Sequence, residues 1–318
     1  MTIVRHPFEI TSPDLFLDLK GLFGRALYLK MEGHNAAGSI KLRTALALVQ
    51  HAERSGRLVP GSTIIESSSG NLGVALGVIA AGKGYRFVCV TDVRCNRSTL
   101  NLLRALGAEV ILIKDPDPVQ GYLLARLDYV RSRCAADPRL VWLNQYENAA
   151  NRLAHYEGTA PAIAKAVPDL DVLFVGVGTG GTAMGCAQYF REHQPWVRVV
   201  AVDAEGSVTF GGPPGSRFIP GLGAGLTPPL VDRAMFDDIV HVSERDSVGC
   251  CRRLAARGLL TGGSTGTVVS GALSWLENAD PDRELVSVTI SPDLADRYAD
   301  TVYDDAWVEQ LPDLKAPL

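Results

Sequence analysis

A lysine set among small residues is the first feature of the sequence that could do chemistry. Lys41 stands in the segment NAAGSIKLR, residues 35–43, whose preceding positions offer little bulk and no competing charge. An amine that protein atoms shield from water loses its proton more readily, and it can then act as a nucleophile or a base. Most lysines are solvated surface cations, so the segment alone leaves both interpretations open.

Two loops of small residues could each bind an anion. The segment GVGTGGT, residues 176–182, follows an apolar strand and precedes a predicted helix. Backbone N–H groups at a helix N-terminus bind phosphate, helped by the helix dipole. The segment ESSSGNLG, residues 66–73, also joins a strand to a helix and suits a smaller anion such as a carboxylate. The two loops together predict a ligand that carries two separated anionic groups.

The first of these loops also fits a dinucleotide pattern. Gly176, Gly178 and Gly181 satisfy G-x-G-x-x-G, and Asp203 follows at the spacing of the acidic residue that binds ribose in nicotinamide dehydrogenases. A tight turn without a ligand is a third interpretation. A dehydrogenase would leave Lys41 and the second loop without a role. The residues themselves leave all three interpretations open.

The composition is that of a globular protein with no nucleic-acid footprint. The chain has 318 residues, of which 47% are hydrophobic and 21% charged, with a formal net charge of −4. This length predicts two lobes, and the charge offers no basic surface for nucleic acid. No run of about 18 apolar residues predicts a membrane span, and no signal peptide is recognised. Six cysteines without a CxxC pair indicate reduced thiols in a cytoplasmic protein and no metal site.

Alternating strands and helices must position the two loops. Short apolar strands such as those in STIIESSSG and YRFVCVTDV alternate with helical segments that end at glycine. Continuous apolar strands between helices indicate parallel sheets covered on both faces. The segment 140–146, LVWLNQY, is predicted as a further strand, and the Gly/Pro-rich segment 210–230 as a long loop. The fold prediction is a two-lobed α/β protein.

Four motifs in register resemble one family of enzymes. NAAGSIKLR, SSSGNLG, GVGTGGT and GGSTG occur in the order and spacing of fold-type II pyridoxal-phosphate enzymes, in particular the cysteine synthase and cystathionine β-synthase group. The resemblance covers residues 7–307 and implies a tryptophan synthase β-like fold and a homodimer. It also implies a smaller lobe for the substrate carboxylate, residues 42–146, and a larger lobe for the cofactor phosphate, residues 1–41 and 147–318.

The resemblance implies a role for each residue of a cofactor site. Lys41 would hold pyridoxal 5′-phosphate as a Schiff base, Asn71 would bond to its ring hydroxyl, and Ser264 would face its pyridine nitrogen. The cofactor phosphate would lie against Gly178, Thr179, Gly180, Gly181 and Thr182. A neutral hydroxyl at Ser264 would not hold the ring nitrogen protonated, which suits β-elimination better than transamination. Taken by itself, Ser264 fits a helix N-cap.

A second set of residues is assigned to the amino-acid substrate by the same resemblance. The group that grips its α-carboxylate would be Ser68, Ser69, Gly70, Leu72 and Gln145. Leu72 stands where the family usually has threonine, so one hydroxyl donor is lost while the backbone N–H remains. Tyr146 would line the pocket, with a half-buried strand aromatic as the alternative. Arg217 would clamp a phosphate or a carboxylate, with a solvated loop arginine as the alternative.

The residues around Lys41 also resemble a narrower branch. Cysteine synthases commonly read Lys-Asp-Arg where this chain reads Lys41-Leu42-Arg43. Together with ESSSGNLG, VTDVR and RFIPGLGAG, this resembles the synthases of the 2,3-diaminopropionate pathway, of the staphyloferrin B siderophore type. The branch implies the joining of O-phospho-L-serine and L-glutamate, through an aminoacrylate, into N-(2-amino-2-carboxyethyl)-L-glutamate for siderophore or antibiotic biosynthesis. The pair Ala36-Ala37 and Leu294 depart from the common pattern.

β-Replacement is the mechanism that the branch implies, and several alternatives remain. Lys41 would remove the α-proton and later return it, while the cofactor carries the difficult step. A cysteine synthase would use O-acetyl- or O-phospho-L-serine with sulfide. Serine and threonine dehydratases commonly read Ser-Phe-Lys and Ser-Gly-Asn-His, so Ile40 and Leu72 argue against them. Outside the fold class stand the nicotinamide dehydrogenase and a silent ligand-binding regulator.

Overall fold

The chain forms two compact units in a computed structural model that describes residues 3–11, 15–118 and 121–311. Unit 1 draws on Met1–Thr11 and Asn35–Asn151, and unit 2 on Ser12–His34 and Arg152–Leu318. The division predicted from the sequence put residues 1–41 and 147–318 in one lobe, whereas residues 3–11, 35–41 and 147–151 lie here in unit 1. The reason is that Ala37 and the helix after it pack into the apolar core of unit 1. Residues 312–318 of the predicted larger lobe lie outside the described residues.

Strands and helices alternate along the described residues, as the sequence predicted. The strands are Phe16–Asp18 (β1), Leu27–Met31 (β2), Thr63–Ser67 (β3), Arg86–Asp92 (β4), Glu109–Ile113 (β5), Leu140–Trp142 (β6), Val172–Gly176 (β7), Arg198–Ala204 (β8), Asp238–Val242 (β9) and Ser287–Ser291 (β10). The helices are Lys20–Phe23 (α1), Lys41–Arg54 (α2), Asn71–Lys83 (α3), Arg97–Ala105 (α4), Gly121–Ala136 (α5), Ala149–Ala154 (α6), Ala160–Ala166 (α7), Gly181–His193 (α8), Glu244–Ala255 (α9), Gly263–Ala279 (α10) and Asp305–Val308 (α11). None of the helices within the described ranges is long and apolar enough to cross a membrane.

Unit 1 is built on a parallel sheet with the strand order β5-β4-β3-β6 in its described part. The central strand β3 is buried along its whole length. Helices α2 and α3 cover it through an apolar cluster that includes Leu48, Ile64 and Leu76. Because β3 and β6 are parallel neighbours, the loops that follow them leave from the same edge of the sheet. The segments after Ser67 and after Trp142 therefore lie side by side.

Unit 2 is built on a larger sheet, with the order β1-β2-β10-β7-β8-β9 among its described strands. Only β1 runs antiparallel within this described sheet. Helix α10 packs on the sheet through Val268 and Ala272, against Phe174 and Val202. Gly176 ends β7 in a place where a Cβ atom would lie 2.7 Å from Leu222 and 2.9 Å from Val268. The close packing of α10 on β7 therefore depends on this glycine.

Of two predictions of secondary structure, the long loop is confirmed and the length of one strand is wrong. Residues 210–230 contain no helix or strand, which confirms the long loop. The strand predicted over residues 140–146 ends instead at Trp142. Asn144 adopts the left-handed conformation, with φ of 54°, and Asn148 Nδ2 donates to Leu143 O at 3.0 Å. These two asparagines close a turn directly after the short strand.

Candidate active site

Lys41 follows a tight loop whose shape is held by hydrogen bonds from a side chain of the loop to its backbone. Asn35 Oδ1 accepts a hydrogen bond from Ala37 N at 2.9 Å, and Asn35 Nδ2 donates to Ser39 O at 2.8 Å. Gly38 has φ of 68°, a left-handed conformation that glycine adopts without steric cost. The loop ends where α2 begins, so Lys41 is the first residue of that helix.

The amine of Lys41 is shielded from water, as the small residues before it suggested. Desolvation lowers its pKa from 10.5 to about 8. Near that pH a substantial fraction of the molecules carries a neutral amine, which is the reactive form. Two residues earlier, the hydroxyl of Ser39 is fully buried and has no hydrogen-bond partner among the described residues. A buried hydroxyl without a partner calls for an explanation, and a ligand bound near Lys41 would supply one.

The loop after β3 is held in shape by the hydroxyl of Ser68. Its Oγ accepts hydrogen bonds from Gly73 N at 2.9 Å and from Gly70 N at 3.3 Å, so it fixes the start of α3. Two thiols also bond to this loop: that of Cys89 donates to Ser68 O and that of Cys95 to Ser69 O, each at 3.4 Å. Ser69 itself is exposed. The loop therefore presents Ser69 to solvent at the N-terminus of a helix of 13 residues.

Three further predicted residues border this loop. Leu72 is buried in the apolar core of unit 1, so its side chain offers no polar group and only its backbone N–H remains. Asn71 is partly exposed as the first residue of α3. Gln145 is buried, and its Nε2 donates to Ser67 O at 3.2 Å while its backbone O accepts from Asn151 Nδ2 at 2.7 Å. The structure thus brings Gln145 next to the loop that Ser68 organises.

Glu66 is a residue of this site that the sequence interpretation missed. Its side chain is fully buried, and Oε1 accepts from Ser67 N at 2.9 Å and from Trp142 Nε1 at 3.0 Å. Burial raises the pKa of this carboxyl to about 7. The hydrogen bond from Trp142 connects the end of β3 to the end of β6. A glutamate inside an otherwise apolar strand, directly before the serines, was the available signal.

Tyr146 follows Gln145 in the turn after β6 and is partly buried. Burial raises the pKa of its hydroxyl, so it stays protonated at neutral pH. A buried ion pair between Arg126 and Asp92, with 3.0 Å between its nitrogen and oxygen, contributes to the same electrostatic environment. The alternative of a strand aromatic does not apply, since β6 ends before Tyr146.

In unit 2, the loop after β7 has room only for glycine at two positions. Gly180 has φ of 90°, and a Cβ atom there would lie 2.6 Å from Val231. A Cβ atom at Gly178 would lie 2.8 Å from Gly221 O. Gly181 starts α8, a helix of 13 residues. The first N–H groups of a helix lack intrahelical partners, so Gly178–Thr182 form a cradle of the kind that binds phosphate.

A buried histidine supports this cradle, and the sequence interpretation missed it as well. His155 Nε2 lies 3.2 Å from Thr182 Oγ1, and its Nδ1 lies 3.0 Å from Thr159 Oγ1. His155 and Thr159 are the first and last residues of a π-helical turn between α6 and α7. Such turns occur often at functional sites. The imidazole therefore orients the hydroxyl of a residue predicted to contact the phosphate.

Ser264 lies in the first turn of α10 and is buried. The N-cap of this helix is Gly262, so the alternative that Ser264 is the N-cap is wrong. Its hydroxyl donates instead to Asp293 Oδ1 at 3.1 Å. A Cβ atom at Gly221 would lie 3.4 Å from Ser264 Cβ, and Gly221 O borders Gly178. Within unit 2 the structure therefore brings Ser264 close to the phosphate cradle.

Arg217 and Asp203 are engaged within unit 2. Arg217 donates through one nitrogen to Gly206 O, and its side chain packs against Gly223, so it joins the turn after β8 to the Gly/Pro-rich loop. A role as a substrate clamp stays a prediction. Asp203 is fully buried, and its Oδ1 accepts from Ala204 N at 2.8 Å. A carboxylate in this position does not suit a ribose contact.

Comparison with known proteins decides the family. The family model described as "Pyridoxal-phosphate dependent enzyme" matches residues 13–293. The chain belongs to this family. It is therefore a pyridoxal-phosphate enzyme of fold-type II, and the nicotinamide dehydrogenase interpretation is not supported.

Two similar curated proteins carry the same name. The chain is 42% identical over 287 residues to the N-(2-amino-2-carboxyethyl)-L-glutamate synthase of Ralstonia nicotianae, which covers 90% of this chain and 84% of that protein. It is 41% identical over 302 residues to the synthase of that name from Cupriavidus metallidurans, with coverage of 93% and 88%.

Two solved structures share the fold. The O-acetylserine dependent cystathionine β-synthase from Helicobacter pylori superposes with a TM-score of 0.84 at 30% identity, over 95% of this chain and 99% of that one. A hydrogen sulfide-producing enzyme from Fusobacterium nucleatum gives 0.87 at 29% identity, over 93% and 100%. Both similarities extend over nearly the whole chain, which confirms the predicted fold class.

The residues of the pyridoxal-phosphate enzyme fit its cofactor. Unit 2 offers a glycine cradle at a helix N-terminus for the phosphate, where Cβ atoms at Gly178 and Gly180 would clash. Unit 1 offers an amine of lowered pKa at Lys41 and the unsatisfied hydroxyl of Ser39. The roles predicted for individual residues remain proposals.

Proposed function

We propose that this protein is an N-(2-amino-2-carboxyethyl)-L-glutamate synthase. It would replace the phosphate of O-phospho-L-serine by the α-amine of L-glutamate. In this reaction the C–O bond to phosphate breaks, a C–N bond forms, and the α-proton of the serine derivative is removed and returned. The observation that carries the proposal is the pair of relatives of that name at 42% and 41% identity.

Lys41 would be both the attachment point of the cofactor and the group that moves the proton. Pyridoxal phosphate, when bound, supplies an electron sink for the negative charge that develops at the substrate α-carbon. A base of this kind must be neutral when it accepts the proton, and a pKa of about 8 supports that state.

The loop of unit 1 would orient the substrate through its α-carboxylate. Ser69 and the backbone N–H groups of Gly70, Asn71 and Leu72 stand at the N-terminus of α3, where the helix dipole favours an anion. Gln145 is fixed beside them by its hydrogen bond to Ser67 O. Correct orientation alone contributes a large part of the rate of such reactions.

Unit 2 would hold the cofactor. The cradle Gly178–Thr182 would bind the phosphate, with the Thr182 hydroxyl oriented by His155. Ser264 would contact the pyridine nitrogen. These assignments draw support from the close approach of Gly178, Gly221 and Ser264 within the unit.

A cysteine synthase is the second candidate, because the similar solved structures act on sulfur compounds according to their names. Their identities of 30% and 29% are lower than those of the glutamate synthases. Incubation of the purified enzyme with O-phospho-L-serine, L-glutamate and sulfide in equal amounts, followed by mass spectrometry, distinguishes the two. The proposal expects the glutamate adduct, and cysteine as the main product would overturn it.

We also propose a cytoplasmic homodimer. All six cysteines are free thiols in the structure, which suits a reducing compartment. The dimer is supported by the family resemblance. Light scattering of the purified protein should give twice the mass of the chain, and a single-chain mass would refute the dimer.

A further inference from the structure

Ser207, which follows the turn after β8, is the centre of a group of buried hydrogen bonds in unit 2. It is 1% exposed, and its Oγ accepts from Ala224 N at 3.0 Å and from Thr209 N at 3.3 Å. Oγ also lies 3.0 Å from Thr209 Oγ1. The next residue bonds to the same place, since Val208 N donates to Ala224 O at 3.0 Å. Both backbone polar groups of Ala224 are therefore bound by residues 207 and 208.

The segment that ends at this point, residues 221–224, lies against the phosphate cradle. Gly223 N donates to Val177 O at 2.9 Å, directly before the cradle. A Cβ atom at Gly178 would lie 2.8 Å from Gly221 O, so the two backbones are in close contact. Residues 221–224 thus contact the connection between β7 and α8 on one side and are held by Ser207 at their end.

The cradle depends on support from outside because backbone groups form it. Its N–H groups bind a phosphate only while they point to one place. Glycine has the least restricted backbone of all residues, and Gly178, Gly180 and Gly181 make up most of the cradle. Contacts with residues 221–224 restrict this loop, and the hydrogen bond from Ala224 N to Ser207 Oγ fixes the segment that makes them.

We propose that Ser207 is a positioning residue for the cofactor phosphate, on which it acts through residues 221–224. This inference rests on the proposed placement of the phosphate in the cradle. The Ser207 hydroxyl is already engaged with Ala224 and Thr209, so its effect is indirect. Replacement by alanine takes the acceptor away from Ala224 N and frees the segment to move from Gly178. The residues that would contact the phosphate themselves remain unchanged.

The affinity of the apoenzyme for pyridoxal 5′-phosphate tests the proposal. The dissociation constant is read from the absorbance of the bound cofactor during a titration. Ser207→Ala should raise it about fivefold or more, the usual effect of one lost hydrogen bond. Thr209→Val is the matched control, since it removes a buried hydroxyl of the same group and keeps the bond between Ser207 and Ala224. Its dissociation constant should stay near the wild-type value.

Pyridoxal, which lacks the phosphate, separates an effect on the cradle from a general loosening of unit 2. The geometry of the cradle contributes nothing to the binding of pyridoxal. Ser207→Ala should therefore weaken the binding of pyridoxal 5′-phosphate by a larger factor than the binding of pyridoxal. Thermal melting of the apo forms shows which variants fold. If Ser207→Ala does not fold, Ser207→Cys takes its place, because a thiol is a weaker acceptor than a hydroxyl.

Three results would overturn the proposal. They are an unchanged dissociation constant in the serine variant, an equal rise in Thr209→Val, and an equal loss of affinity for the two ligands, which would leave Ser207 a structural role only. The titration contains no amino-acid substrate, so a different reaction product would refute the proposed function and leave this result standing.

Discussion

Lys41 is the residue on which the proposed chemistry depends most directly. Replacement by arginine keeps a positive charge at the start of α2 but removes the amine that can be neutral at working pH. We expect Lys41→Arg to fold, as judged by its thermal melting, and to lose activity by roughly 10²–10⁴-fold, the usual contribution of a general base. Steady-state kinetics of phosphate release measure the effect. Activity within a few-fold of wild type would remove Lys41 from the mechanism.

Glu66 gives a prediction about pH and stability. Its pKa is raised from 4.5 to about 7, so between these values the folded protein keeps a proton that the unfolded chain has released. Stability therefore falls as the pH rises from about 4.5 to about 7, and the loss is complete above that range. Glu66→Gln keeps the acceptor for Ser67 and Trp142 without the charge.

The Glu66→Gln variant should therefore gain stability over wild type above pH 7, by about 1–3 kcal/mol, and little at pH 4.5. Urea unfolding at the two pH values measures the difference. Glu147→Gln, at an exposed site in the turn after β6, is the control for loss of a negative charge. An equal effect of Glu66→Gln at both pH values would show that the carboxyl is not held protonated.

Among the secondary-structure elements, the junction of β7 and α8 gives a prediction about cofactor affinity. Gly180→Ala would place a methyl group against Val231 in a backbone with φ of 90°, and should move the cradle by distorting its loop. We expect the dissociation constant for pyridoxal phosphate to rise at least about tenfold, which corresponds to 1.4 kcal/mol.

Gly258→Ala is the matched control for this prediction. Gly258 has φ of 83° but open space around its Cβ position, so it carries the same backbone strain without the clash. Its dissociation constant should stay near the wild-type value. Equal cofactor affinity in wild type, Gly180→Ala and Gly258→Ala would place the phosphate elsewhere.

Arg217 lies in the Gly/Pro-rich loop between β8 and β9, and a role for it in the reaction with glutamate is a prediction. Its guanidinium joins Gly206 to the Gly223 region, so its loss should loosen this loop. We expect Arg217→Ala to slow formation of the glutamate product by roughly one to two decades, while phosphate release in a single turnover stays near wild type. If both steps slow together, Arg217 serves the donor phosphate instead.

The regular elements were predictable where local pattern decides them. Strands β3 and β4 are centred on apolar runs, residues 64–65 and 87–90, and each is preceded by a glycine, so that signal is local in the sequence. The end of β6 was not predictable, because it depends on the left-handed Asn144 and a hydrogen bond from Asn148. Glu66 and His155 were missed because their importance arises from partners 76 and 27 residues away. Contacts between distant segments have no signature in a single sequence.

In the whole molecule, the residues proposed to bind the substrate carboxylate and those proposed to bind the cofactor phosphate lie in different units. Unit 1 contains Lys41 and the loop proposed to bind the substrate carboxylate, while unit 2 contains the proposed phosphate cradle and Ser264. The sequence interpretation placed the serine loop and the glycine cradle in different lobes, as the two units do, but it put Lys41 in the cofactor lobe, whereas Lys41 lies in unit 1. The boundaries depend on packing instead, because residues 35–41 join unit 1 through the contacts of Ala37.

The proposed function of this pyridoxal-phosphate enzyme is to join an activated serine to glutamate. The most direct measurement is mass spectrometry of the product formed from O-phospho-L-serine when L-glutamate and sulfide compete at equal concentration. We expect N-(2-amino-2-carboxyethyl)-L-glutamate as the main product, together with one inorganic phosphate for each molecule formed. Cysteine as the main product, or release of phosphate with no glutamate adduct, would contradict it.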